Sequence, residues 1–170
     1  MFKSILGRLF WTYAIILMLV FTSVAVTVGI FVNHFAISTH MNNVISVSQN
    51  LEYWTGSLQI EDTDYRARAA YKQLLRSWGS FLNSDIIVTN SNGEVLESTT
   101  SSATVPDELV HIVTNGNIIK KYSTLNGSYK NKMMVIGVPI KYQGGIVGAS
   151  FYVTGIFDIR KTTLELFMMV

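Results

Sequence analysis

From Leu9 to Val32 the chain is apolar, and no Asp, Glu, Lys, Arg or His falls among these positions. At about 1.5 Å per residue the stretch makes a helix of about 36 Å, enough to cross a hydrocarbon core of about 30 Å. It reads as a transmembrane helix preceded by a stub, residues 1–8. A cleaved leader is the rival reading, since Lys3 and Arg8 resemble its charged start and Ser23-Val24-Ala25 its cleavage site. However, Val26 to Val32 stays apolar beyond that point, whereas a leader's apolar region spans about 7–15 residues. Lys3 and Arg8 precede the span, and no Lys or Arg occurs between Asn33 and Leu51. The excess of positive charge on the amino-terminal flank predicts that this end is cytoplasmic and the rest extracytoplasmic.

Past the span, Ile37, Met41, Val44, Ser48 and Leu51 recur at alternating spacings of four and three, which predicts that the helix continues. Such a stripe fits either the protein's own domain or the same helix of a second subunit. Gly56 is the expected stop. Glu61, Asp62 and Asp64 suit the positive end of a new helix dipole, and Tyr71, Leu74, Leu75, Trp78 and Leu82 form that helix's apolar face.

At Asp85 the period changes to two. Ile86–Val88 and Glu94–Glu97 read as strands around the turn Ser91-Asn92-Gly93, and 98–104 as a polar loop. Pro106-Asp107-Glu108 marks a helix start, with Leu109, Ile112 and Val113 as its apolar side and Gly116 as its end. Strands are expected at 117–125, 132–140 and 146–154, separated by Asn126-Gly127 and Gly144-Gly145, as an antiparallel meander. A last helix follows Gly155. Leu166-Phe167-Met168-Met169-Val170 reads as the first turns of a second span, or else as the end of an amphipathic helix packed on the domain. The expected fold class is α+β: a transmembrane helix at 9–32, a domain of flanking helices and antiparallel sheet over 33–163, and the second span from 164–170.

Of 170 residues, about 130 lie outside the anchor, the size of a single domain. With no cysteine, that domain cannot use disulfides or thiolate metal sites. The net charge of +2 comes from scattered Lys and Arg rather than the stripe that nucleic acid requires. No glycine-rich phosphate loop is present, and no His, Asp and Glu stand at metal-ligand spacing. His34 and His40 fall on different faces of the stalk helix, His111 stands alone, and the serines lie mainly in loops without a triad. Neither catalysis nor a cofactor is indicated.

Ser84-Asp85-Ile86-Ile87-Val88-Thr89-Asn90-Ser91-Asn92-Gly93-Glu94-Val95-Leu96 resembles the first hairpin of PAS-like extracytoplasmic sensor domains. Met134-Val135-Ile136-Gly137-Val138-Pro139-Ile140 and Gly145-Ile146-Val147-Gly148-Ala149-Ser150-Phe151 resemble their last two strands. With the order of parts, this is similar to the Cache-like (PDC) sensor region of bacterial membrane-bound histidine kinases. The resemblance implies a central five-stranded antiparallel sheet flanked by helices, a homodimer, and a small-molecule pocket on one face of the sheet. The phosphoacceptor helix and ATP-binding domain of such kinases have no counterpart in these residues.

Lys120 and Tyr122 share one face of their strand by alternation, near Lys121 and Tyr129, and together with Arg76 they are the candidate site for an anionic ligand. The competing reading is a wet outer face; Arg68 and Arg76 are placed to reach a ligand carboxylate, but they fit a solvated helix face better. The expected function is the input portion of a two-component sensor histidine kinase, passing an extracytoplasmic stimulus, small molecule or protein, across the membrane through helix rearrangement in a dimer. The alternative is a single-span anchored binding or adhesion protein ending at Val170, which a stop codon directly after that residue would favour.

Overall fold

A computed structural model of the chain describes residues 5–60, 65–101 and 104–155. Along them run helices α1 (Ile5–Ile60), α2 (Tyr65–Leu82) and α3 (Asp107–Thr114), and strands β1 (Asp85–Asn90), β2 (Val95–Ser98), β3 (Ile119–Ser123), β4 (Met133–Tyr142) and β5 (Gly145–Thr154). The chain divides into two compact units, Met1–Ile37 and Ser38–Val170. The expected second span at 164–170, and the helix leading to it, lie outside the described residues.

The first unit is helix, and one helix among the described residues is long and apolar enough to cross a membrane. Phe10, Met18, Leu19, Phe21, Ile30 and Phe31 are each about two-thirds exposed or more. In water so continuous an apolar surface is untenable; in lipid it is the surface required. The threonines in this stretch find partners within the helix. The hydroxyls of Thr12, Thr22 and Thr27 donate to the carbonyls of Arg8, Met18 and Ser23 at 2.8–2.9 Å, the internal satisfaction that lipid demands.

The second unit contains an antiparallel five-stranded sheet of order β2-β1-β5-β4-β3, the sheet that the family resemblance implies. β3, β4 and β5 form the expected meander, and β1 adds the first hairpin by pairing with β5 from Asp85↔Val153 to Asn90↔Gly148. Alternation sends Ile87, Val135, Ala149, Phe151 and Val153 to one face, where they meet Leu109, Val110 and Val113 of α3 in an all-apolar core. Ile86, Val88, Ile136, Val138 and Tyr152 point to the other face, beneath α2 and the second half of α1.

Several expectations change under packing. The stripe on α1 turns inward within its own domain: Val44, Ser48 and Leu51 are buried, joined by Val47 and Thr55. Gly56 does not stop α1, which runs on to Ile60. It is buried, and a Cβ there would run into the ring of Tyr142, so its role is close approach rather than termination. On α3, Val110 is buried in place of Ile112, which is 36% exposed. β3 is shorter than expected, and Asn126-Gly127 does not make a two-residue turn. Leu125 and Asn126 both take positive φ, and Leu125 is fully buried, so a longer loop is pinned by its own apolar residue. The β4–β5 turn is Gln143-Gly144, with Gly145 already paired to Tyr142. Both turn residues have positive φ, +49° and +84°, as the tight hairpin twist demands.

Candidate functional site

The two faces of the sheet differ in what they leave open. Under α3 the buried cluster is made of apolar side chains. On the opposite face, α1, α2 and the β1–β2 hairpin enclose a cavity of about 310 Å³ lined by Thr55, Arg68, Tyr71, Val88, Asn90, Leu96 and Glu97. That volume lies at the lower end of small-molecule pockets.

Its floor is fixed by a hydroxyl pair. Thr55 from α1 and Tyr71 from α2 are 2% and 4% exposed, and their oxygens lie 2.5 Å apart, either one able to donate. Because the pair uses one of its two hydroxyl hydrogens, the other remains for a third group. Burial pushes the Tyr71 phenol up to about 12; its bond with Thr55 works in the opposite direction and the nearby Glu97 charge adds to the rise. Tyr71 is therefore neutral and a donor at physiological pH.

The walls are apolar at Val88 and Leu96 and charged at the mouth. Glu97 from β2 pairs with Lys72 of α2 at 3.5 Å. Arg68, one turn before Tyr71 on α2 and exposed, forms no ion pair or hydrogen bond with any described residue. Asn90 is committed to structure. Its amide donates to Glu94 Oε2 at 2.7 Å, and its oxygen accepts from the backbone N–H of Asn92 at 3.0 Å and of Glu94 at 2.9 Å, fixing the β1–β2 turn.

Deeper on this face, Tyr152 is fully buried, and its hydroxyl has no hydrogen-bond partner among the described residues. Burial pushes its phenol up; the Ser150 hydroxyl lies near enough to act against that rise without forming a well-aligned hydrogen bond, and Tyr71 and Glu52 reinforce it. His40 Nε2 on α1 is likewise unpartnered among the described residues, and burial lowers its pKa, so the ring is neutral. A buried polar group without a partner is a cost that an apolar face would avoid.

The candidate residues Arg76, Lys120 and Tyr122 are not brought together. Arg76 lines a second, more open groove of about 570 Å³ at the end of the sheet, with Asn83, Asp85 and Gly155, the last described residue. Lys120 and Tyr122 are exposed on β3 and line neither cavity. α2 packs over β1 and β2, whereas β3 is the opposite edge strand, three strand spacings or about 14 Å from β1. Lys121 instead pairs with Glu108 at 3.2 Å on the surface. Tyr129 donates to Asp85 Oδ2 at 2.7 Å, which ties the β3–β4 loop to β1. Arg68 was visible in sequence as a possible carboxylate partner. Thr55, Tyr71 and Glu97 were not, since Tyr71 sits among the apolar positions of α2 and nothing local shows that its hydroxyl meets Thr55. Among the described residues no group of His, Asp and Glu could hold a metal ion.

No protein-family model and no curated protein matches the sequence. Solved structures with a similar architecture include the sensor domain of the Vibrio cholerae histidine kinase DctB, with a TM-score of 0.47 and 8% identity, covering 76% of this chain and 57% of that one. Another is the ligand-binding domain of the Campylobacter jejuni chemoreceptor Tlp3 in complex with L-norvaline, with a TM-score of 0.45 and 14% identity over 75% of this chain and 59% of that one. A third is the ligand-binding domain of the Pseudomonas aeruginosa amino acid chemoreceptor PctC in complex with GABA, with a TM-score of 0.45 and 10% identity over 75% and 62%. The chain spans less than two thirds of the length of each. All three are sensor or ligand-binding domains.

Proposed function

We propose that this chain is the membrane-anchored input part of a bacterial sensor protein, a two-component histidine kinase, with the sheet domain outside the cell and residues 1–8 in the cytoplasm. The observation that carries the reading is helix α1. One continuous helix holds both the lipid-suited segment, with its threonines satisfied internally, and the residues Val44, Leu51 and Thr55 buried in the domain. A change of packing around Thr55 therefore acts on the element that enters the bilayer. Such a switch operates when a stimulus prefers one of two arrangements.

The homodimer belonging to this reading uses the outward side of α1. Val44, Ser48 and Leu51 are occupied within the domain, whereas Asn42, Ser46, Gln49 and Tyr53 recur at spacings of four, three and four and are all exposed. Ser46→Cys should cross-link between subunits in membranes.

Topology is tested directly because the chain has no cysteine. In intact cells, Ser91→Cys in the exposed β1–β2 turn should react with a membrane-impermeant maleimide, while Ser4→Cys should react only after lysis. The reverse pattern, or no protection of either, would remove the proposal.

A further inference from the structure

We infer that the cavity between α1, α2 and the β1–β2 hairpin is a stimulus site for a small monocarboxylate carrying a second hydrogen-bond donor. The inference rests on the sensor reading above and assigns that role to the face of the sheet opposite α3.

The charge arrangement selects the class. Arg68 is the cation at the mouth that no described acidic group neutralises, and its planar fork matches a carboxylate. The spare hydroxyl hydrogen of the Thr55–Tyr71 pair offers a further donor to the same anion, and Tyr71, with its phenol held neutral by burial, does not repel it. Val88 and Leu96 form the apolar wall for a short hydrocarbon body. Glu97 lies on the same cavity, and its solvent-accessible pair with Lys72 at 3.5 Å offsets its charge only in part. It accepts a hydroxyl or ammonium donor from the ligand, and it repels a second negative charge, so phosphate and dicarboxylates are disfavoured. A volume of about 310 Å³ admits a molecule of this size.

Occupation has a mechanical consequence. An anion that accepts the spare hydrogen extends the hydrogen-bonded Thr55–Tyr71 pair that joins α1 to α2, and polarises that link. The ligand thus acts where the two helices meet.

The test uses the full chain in detergent micelles or nanodiscs, with thermal unfolding followed in the presence of lactate, α-hydroxyisovalerate or β-alanine, and of phosphate or succinate as multiply charged controls. At about 10 mM, at least one of the first three should raise the Tm, because a ligand that binds only the folded state stabilises it. The controls should not. Arg68→Gln should weaken the response at least tenfold in the ligand concentration needed, and Glu97→Gln should admit phosphate or succinate. Absence of any shift with all three monocarboxylates, or an unchanged response in Arg68→Gln, overturns the inference. Since Arg68 is exposed, its substitution should leave the unliganded Tm close to wild type, so a lost response is not a folding defect. A ligand bound with Arg68 irrelevant removes only this site; a cytoplasmic location of Ser91 removes the sensor reading whatever binds.

Discussion

The two faces of one sheet are built to different rules. Under α3, residues from β1, β4 and β5 meet Leu109, Val110 and Val113 in an apolar cluster, and a buried hydroxyl beside it, that of Thr89, donates to the Ala149 carbonyl at 3.4 Å. Under α1 and α2 the same strands support a buried hydroxyl pair, an unpartnered tyrosine and a cavity with charge at its rim. A close-packed apolar face has one arrangement, because any shift opens voids that nothing fills. A face with polar groups and free volume has alternatives of similar energy, and it is this second face that packs against α1, the helix that carries the proposed span. The comparison teaches that rigidity and responsiveness are separated by a single layer of strands.

The comparison is broken most severely from the apolar side. Phe151→Ala, deleting a fully buried ring at the centre of the α3 face, should cost about 3–5 kcal/mol, measured by denaturant unfolding of the full chain in micelles. A smaller loss from the same substitution would mean that this face is looser than its packing implies.

Alkaline titration probes the other face. The Tyr71 phenol is raised to about 12 from 10.0, so the folded state holds its proton more tightly than the unfolded chain. Its contribution is complete below pH 10 and falls as pH rises from about 10 towards 12, by about 3 kcal/mol at most. Tyr152 and Tyr129 are shifted in the same direction and steepen the fall. Tyr71→Phe should flatten the stability profile over that range, and an unaltered profile would place the titration elsewhere.

Gly56→Ala should cost about 1–3 kcal/mol by overpacking, because the added methyl meets the Tyr142 ring where α1 approaches the sheet. Since α1 also carries the proposed span, this variant should change cross-linking at Ser46→Cys as well as the Tm.

The two tyrosine hydroxyls on this face should respond with opposite signs. Tyr71→Phe leaves buried Thr55 short of a partner and should cost about 1 kcal/mol at neutral pH. Tyr152→Phe removes a hydroxyl that has none and should be neutral or stabilise by up to about 1 kcal/mol. Equal losses in both would mean that the Tyr152 hydroxyl has a hydrogen-bond partner, with Ser150 the candidate. Smallest of all, Lys72→Ala should change stability by less than about 1 kcal/mol, as its pair with Glu97 is solvent-accessible.

Much of this architecture follows from periodicity alone. The uncharged run from Leu9 to Val32 specifies a helix suited to lipid, the three-four spacing from Val44 to Leu51 and from Tyr71 to Leu82 specifies which sides of α1 and α2 turn inward, and two-residue alternation specifies the strands. Each is a local property: helix and strand geometry fix which side chains share a face, and apolar side chains on one face must be covered. Position across the sheet is not local. The order β2-β1-β5-β4-β3 put Arg76 and Lys120 at different edges, while it carried Thr55, Tyr71 and Glu97 to one cavity from three separate elements. Gly56 became a contact instead of a stop, and Leu125 a buried pin instead of a strand end, because the ring of Tyr142 and the α3-side core were there to meet them. Such outcomes depend on which surfaces end up in contact, and the tertiary structure alone decided that.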